Sequence, residues 1–264
     1  MNAPQVKTES TDIVCRLAAG SRIKLVGLGG VGCIVLEFLG MFLKSLRRGI
    51  RLVLVDGDVF EPGNTSRMNF ETMGNKAEVK AAETAAALGT SDVTVIAVPE
   101  FVDRENVGRV ILPGDYVLLC VDNHVTRRIV SEHCGTLSDV ALFSGGNDGV
   151  APPAQRGSYG NVQIAIRRGG RDRTVPITQY HPEIAQAAGK LPSDQDCGQL
   201  ALSLPQILFT NLSVASSMLN AFFAYSCGRL AYQEVQFDIL DARWLPQFPL
   251  TPEQIPEVLP GPAE

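Results

Sequence analysis

The sequence has no uninterrupted apolar run of 18 residues, which excludes an ordinary membrane-spanning helix. The longest candidate, Leu200–Tyr225, is broken by Pro205, Gln206, Asn211 and Asn220. Basic charge is also short: the formal net charge is −5, so a nucleic-acid surface, which needs clustered Lys and Arg, is not expected. Met1–Thr11 lacks the apolar core of a signal peptide. Six cysteines, at 15, 33, 120, 134, 197 and 227, have neither the density nor the spacing of a secreted disulfide scaffold. Together these absences point to a globular protein of the reducing cytoplasm, and no internal repeat is visible.

What is present is alternation. Apolar runs of about five residues at Arg22–Val26, Arg51–Val55, Val93–Val98, Tyr116–Cys120 and Val140–Ser144 read as strands buried on both faces. Between them Val31–Lys44, Lys76–Leu88 and Thr126–Cys134 read as helices. The pattern predicts an α/β, Rossmann-like, mostly parallel sheet with helices on both faces. After residue 150 it changes. Asn161–Arg167 alternates like an exposed antiparallel strand, Arg167–Arg173 suits a hairpin, and His181–Asp196 reads as a loop or crossover. Leu200–Tyr225 predicts a helix apolar nearly all round, which belongs in a large core or a subunit interface. Val235–Ile239 reads as the last strand. The organisation expected is an extension over 1–20, a nucleotide-binding half over 21–150, a substrate or dimer half over 151–245, and a proline-rich tail over 246–264.

The most informative segment is Gly27-Leu28-Gly29-Gly30-Val31-Gly32 between a strand and a helix. Gly27 permits a tight turn, Gly29 lets backbone approach a phosphate, and Gly32 lets the helix pack on the strand. Phosphate then meets unpaired N–H groups at the positive helix end. Asp56 ends the next strand, 24 residues beyond Gly32, where a carboxylate can accept from ribose hydroxyls. The turn and the acid predict a nucleotide without saying which.

Charge downstream narrows the choice. Asp56-Gly57-Asp58 leads to Asn64 and Arg67, then to Lys76, while Asp122-Asn123 follows a later strand. Strand C-terminal ends face the ligand crevice in such sheets, so these groups should converge beside the turn. Arg67 and Lys76 can neutralise phosphates, and Asp122 can hold a Mg2+ that bridges them. A dehydrogenase built on the same turn would leave Arg67 and Lys76 without a role. An NAD-dependent oxidoreductase and an ATP-binding scaffold without activity are the rival readings.

The order of GxGGxG, D-x-D-x-x-E-x-x-N-x-x-R, Lys-Ala-Glu and strand-terminal V-D-N resembles the ThiF/MoeB/ubiquitin-activating enzyme superfamily over roughly residues 20–240. The resemblance implies an adenylation domain, usually homodimeric, that joins Mg-ATP to a carboxylate. The usual substrate is the C-terminal glycine of a ubiquitin-like or sulfur-carrier protein. By the same resemblance Asp56 would hold ribose, Asn64, Arg67 and Lys76 would contact phosphates, and Asp122 would carry Mg2+. The nucleotide set is thus Gly27, Gly29, Gly30, Gly32, Asp56, Asp58, Asn64, Arg67, Lys76, Asp122 and Asn123.

Departures from the pattern are specific. Met68-Asn69 follows Arg67 where the family often has Arg-Gln, and Lys80, one helical turn beyond Lys76, competes with it as phosphate ligand. Two Cys-x-x-Cys pairs common in the family are missing, so no zinc site is expected. Arg16 and Arg22 are the candidates for an arginine lent across a dimer. Cys197, in Asp194-Gln195-Asp196-Cys197-Gly198, stands where several relatives carry a thiol that takes the acyl group, though it can equally be an inert loop thiol. His124 either lines the ATP pocket or, the preferred reading, stays neutral behind the groups that touch the ligand; His133 is expected to face out, and His181 to sit in a loop. Arg127-Arg128 either touch substrate or solvate a helix, and Gly145–Gly149 is either a channel wall or a turn cluster.

Overall fold

The computed structural model describes residues 13–66, 69–148, 150–151, 155–189, 191 and 207–248. Five strands form a parallel array: β1 (Arg22–Val26), β2 (Ile50–Val55), β3 (Val93–Val98), β4 (Asp115–Leu119) and β5 (Val140–Asn147). Their order in the sheet is β3-β2-β1-β4-β5, so the winding reverses between β1 and β4. In a doubly wound sheet that reversal opens a crevice at the C-terminal strand ends, which is where the glycine turn lies.

Both faces are covered. Helices α1 (Gly30–Leu46), α2 (Lys76–Leu88) and α7 (Leu208–Ser226) lie on one side. There Leu25, Leu52, Leu54 and Leu118 are fully buried with Leu39 and Leu43 of α1. Short α3 (Val107–Val110), α4 (His124–Cys134), α5 (Ile177–Tyr180) and α6 (Pro182–Ala185) cover the other side, against Val53, Val55, Val117 and Leu119. Each fully buried leucine contributes roughly 2 kcal/mol through area withdrawn from water. Lys24 interrupts the apolar run of β1: its Nζ lies 3.6 Å from Oδ2 of the fully buried Asp115, which also accepts from Arg22 Nε at 2.5 Å.

The C-terminal half continues the same sheet with antiparallel strands. β6 (Val150–Ala151) and β7 (Gln155–Arg156) form a small separate pair. β8 (Tyr159–Arg168) pairs antiparallel with β5 on one side and β10 (Glu234–Asp238) on the other. The strand expected to be exposed is therefore interior, with Val162, Ile164 and Ile166 at most 1% exposed under α7. The alternation marks a strand, but periodicity alone does not say whether the second face is also covered. β8 turns back into β9 (Arg171–Asp172), the expected hairpin. β10 is not the last strand: β11 (Arg243–Gln247) pairs with it and includes Pro246 on the sheet edge, where a proline is tolerated. Among the described residues no helix is long and apolar enough to cross a membrane.

Part of the segment expected as a loop is helix α6, which follows directly on α5, and His181 between them pins the pair to the sheet. Its Nδ1 lies 2.7 Å from Glu183 Oε1, and its Nε2 lies 3.0 Å from Oε1 of Glu234, itself 1% exposed. With both ring nitrogens against carboxylate oxygens, both must donate, which is the imidazolium form. Burial alone would lower the pKa of His181, but Glu234 and Glu183 outweigh it and raise the value. A raised folded value means the stabilisation is complete below the unfolded pKa of about 6.5 and is lost as pH rises through the folded value. In urea melts against pH, the advantage of the native chain over His181→Gln should be largest at mildly acidic pH, where imidazole is charged and the carboxylates are still ionised, and should shrink towards alkaline pH. A difference independent of pH would refute the imidazolium bridge.

Candidate functional site

The turn after β1 is built by contacts that admit no side chain. Gly27 has φ +90°, and a Cβ there would meet the Cys120 carbonyl carbon at 2.9 Å. A Cβ on Gly32 would lie 1.9 Å from the Gly27 carbonyl oxygen, so only glycine lets α1 start this close to β1. At Gly29, the residue preceding α1, a Cβ would meet nothing within 4 Å. Helix α1 thus opens with no side-chain cap and no acid in its first turn. Its terminal N–H groups and positive dipole end suit an anion.

Asp56 ties this turn to the neighbouring strand. Its Oδ2 accepts from Leu28 N at 2.6 Å and its Oδ1 from Asp58 N at 2.9 Å. Burial pushes its carboxyl pKa up, while Lys76 and the two backbone N–H groups pull the other way. Each oxygen keeps a further lone pair, so the group can still accept from a ribose hydroxyl.

The lysines are distinguished by their partners. Lys76, 6% exposed at the start of α2, pairs its ammonium with Asp58 Oδ2 and acts electrostatically on Asp56. Lys80 pairs with Glu83 Oε2 at 2.6 Å, donates to the Asn69 carbonyl, and lies 5.8 Å from the Phe60 ring centroid. Asn64 is buried in a 3-10 turn, Pro62–Ser66, its Oδ1 accepting from Glu61 N at 3.1 Å. Asp122 is exposed just past the end of β4. Asn123 is the N-cap of α4, accepting from Thr126 N at 2.8 Å. Arg67 and Cys197 lie outside the described residues.

The remaining candidates take these places. Arg22 belongs to the opposite end of β1, bound to Asp115 and the Pro113 carbonyl, five residues before the turn. Arg16 is exposed beside Gly228, just past the C-terminus of α7. His133 does not simply face out; its Nε2 lies 2.9 Å from the Ile111 carbonyl. His124 has its pKa lowered by burial and by Arg127, which favours the neutral form expected of it. Cys33 is no free nucleophile: its Sγ reaches the Leu28 carbonyl at 3.2 Å, and burial pushes its pKa up to about 11.

Two residues carry more than the sequence reading gave them. Asn75 caps α2, its Oδ1 accepting from Ala77 N at 2.8 Å and Glu78 N at 3.2 Å. Its Nδ2 donates to the carbonyls of Asp56 at 3.0 Å and Asp58 at 3.1 Å, binding the helix that carries Lys76 to the strand end that carries Asp56. The Asn-x-x-Glu pattern ahead of a helix was the available signal. Arg127 is the second. It is 5% exposed and does not solvate a helix; it donates into the ends of β4 and β5.

A capless helix, an acid at the next strand end, a helix-borne lysine and an exposed carboxylate thus meet at the reversal point of a Rossmann-like sheet. The chain belongs to the ThiF family, whose model matches residues 11–223. It is 35% identical over 115 residues to the adenylyltransferase and sulfurtransferase MOCS3 of Danio rerio, covering 42% of this chain and 24% of that protein. It is 32% identical over 116 residues to the SAMP-activating enzyme E1 of Haloferax volcanii, covering 43% and 41%. The crystal structure of E. coli MccB with MccA-N7isoASN superposes with a TM-score of 0.62 at 15% identity, over 88% of this chain and 65% of that one. These matches therefore span a quarter to two thirds of the lengths of the relatives, and the structural one speaks for the fold alone.

Replacing Asn75 by alanine removes the cap and both strand-end bonds. Asn75→Ala should lower unfolding stability by about 1–2 kcal/mol in urea. Asn75→Asp should recover only part, because its carboxylate faces the two carbonyls. An Asn75→Ala chain as stable as the native one would refute the role.

Proposed function

We propose that the chain is an ATP-dependent adenylyltransferase that activates a carboxylate, the C-terminal glycine of a ubiquitin-like or sulfur-carrier protein. The observation that carries this reading is the clustering of Lys76 and Asp58 with Asp56 beside the capless start of α1. A dinucleotide site has no use for an ammonium so placed, whereas a triphosphate does. The names of MOCS3 and the SAMP-activating enzyme support the same chemistry.

In this account the amides at the start of α1 receive phosphate oxygens and Asp56 accepts from ribose. Lys76 exchanges Asp58 for phosphate oxygens, a trade of one anion for another that leaves its charge compensated. Lys76 is preferred to Lys80 because Lys76 is the one that acts on the Asp56 carboxylate and pairs with Asp58 beside it. Asn64 and Arg67 are assigned to the phosphates by family resemblance. A Mg2+ keeps several waters and needs only one or two carboxylates with the phosphates, and the exposed Asp122 fits that demand. Bound there, the ion would neutralise charge on the departing pyrophosphate. A substrate carboxylate oxygen attacks the α-phosphorus, the bond to the pyrophosphate oxygen breaks, and an acyl-adenylate remains. If Cys197 takes the acyl group, its thiolate attacks the acyl carbon and AMP leaves.

The setting proposed is cytoplasmic, and the assembly a homodimer. The dimer is supported by uncharged side chains that α1 and α7 leave in solvent, Phe38, Met41, Phe209, Leu212 and Phe223. Sedimentation as a monomer at working concentration would remove that part.

ATP–pyrophosphate exchange with a small protein ending in Gly-Gly should be present and should fall roughly 100-fold in Asp122→Ala. Undiminished exchange in that variant would remove the Mg2+ assignment. For Cys197, a reducible adduct with the partner should form and should vanish in Cys197→Ser; its persistence would move the acyl group elsewhere.

A further inference from the structure

Arg127 has no place in the chemistry above, yet the fold commits its whole side chain to the site. It stands in the first turn of α4 and reaches inward between the ends of β4 and β5. Its Nη1 donates to Ser144 Oγ at 2.7 Å, and its Nη2 donates to the carbonyls of Val121 at 2.5 Å and Gly145 at 2.6 Å. Among the described residues it forms no salt bridge with a carboxylate. A guanidinium buried without a carboxylate is costly, and three oriented acceptors are what makes it tolerable.

The acceptors say what it does. Val121 immediately precedes Asp122, and Gly145 lies at the end of the next strand. The backbone is shaped around the fork: a Cβ on Gly146 would lie 2.9 Å from Nη2. The guanidinium therefore clamps the two strand ends that border one side of the crevice, at the residue next to the proposed Mg2+ ligand. A lysine could keep the charge but not the planar fork that reaches three acceptors at once.

We propose that Arg127 is a positioning residue for adenylation, fixing the Val121 carbonyl and thereby the direction in which Asp122 meets the metal-bound phosphates. The inference rests on the Mg-ATP reading of the site. It gives a residue with no expected nucleotide contact control over how strongly metal and nucleotide bind together.

The test is calorimetric and needs no substrate. ATP affinity is measured with Mg2+ and with EDTA for the native chain, Asp122→Ala, Arg127→Lys and Gly146→Ala. The ratio of the two dissociation constants reports the coupling of metal to nucleotide. Arg127→Lys should lose about fivefold or more of that ratio, the lower end of ordinary coupling energies, while metal-free affinity stays near the native value. Gly146→Ala, which keeps the arginine but displaces its fork, should lose part of the ratio and decides the matter if Arg127→Lys does not fold. A native ratio in the folded Arg127 variant, or in Gly146→Ala when that variant alone folds, together with a lost ratio in Asp122→Ala, would overturn the positioning role and leave the Mg-ATP reading intact. A native ratio in Asp122→Ala itself would overturn that reading, and the positioning role with it.

Discussion

The Asp56 carboxylate is the tie on which the site depends. It accepts from the turn at Leu28 and from its own strand end at Asp58, so the glycine turn is bonded directly to the end of β2. Burial makes its charge unfavourable, and the charges and dipoles that offset this are the parts of the site: Lys76 and two backbone N–H groups. Loss of the carboxylate would free the turn, leave Leu28 N unpaired, and deprive Lys76 of a charge it faces.

Outward from that tie, the site is held by polar braces rather than by packing alone. Asn75 joins the head of α2 to the end of β2, and Arg127 joins the ends of β4 and β5. Each brace donates to carbonyls at or near a strand end. The Asp58 carbonyl also accepts from Lys76 N at 2.8 Å, so the head of α2 is bound to the end of β2 by backbone as well as side chain. The rim of this doubly wound sheet recruits side chains, and a few of these hold the functional groups in place. The apolar layers below, from Leu25 and Leu118 to Phe143 and Phe222, give the rim a rigid base.

The parallel half was legible in the sequence because a strand buried on both faces leaves an apolar run that few other structures leave; β3 is the exception, an edge strand with Ile96 40% exposed despite its apolar run. The turn was legible because Gly27 and Gly32 occupy positions where a Cβ has no room. The environment of β8 was less so: its alternation gave the strand but not its cover, since α7, which buries it, comes about fifty residues later. Arg127 was hidden for a related reason. An Arg-Arg pair on a helix normally meets water, and only the register of β4 against β5 shows that one of the two points into the sheet. The pairing of Arg22 with Asp115 was hidden as well, because it depends on the register of β1 against β4.

The central claim is that this turn holds ATP and not a nicotinamide dinucleotide. Direct titration of the purified chain with ATP and with NADH, in the presence of Mg2+, tests it without any knowledge of the partner. The account predicts saturable binding of ATP, a loss of about tenfold or more in affinity when Lys76 becomes alanine, and no saturable binding of NADH. Saturable NADH binding that ATP does not displace, with Lys76→Ala indifferent to either ligand, would contradict it.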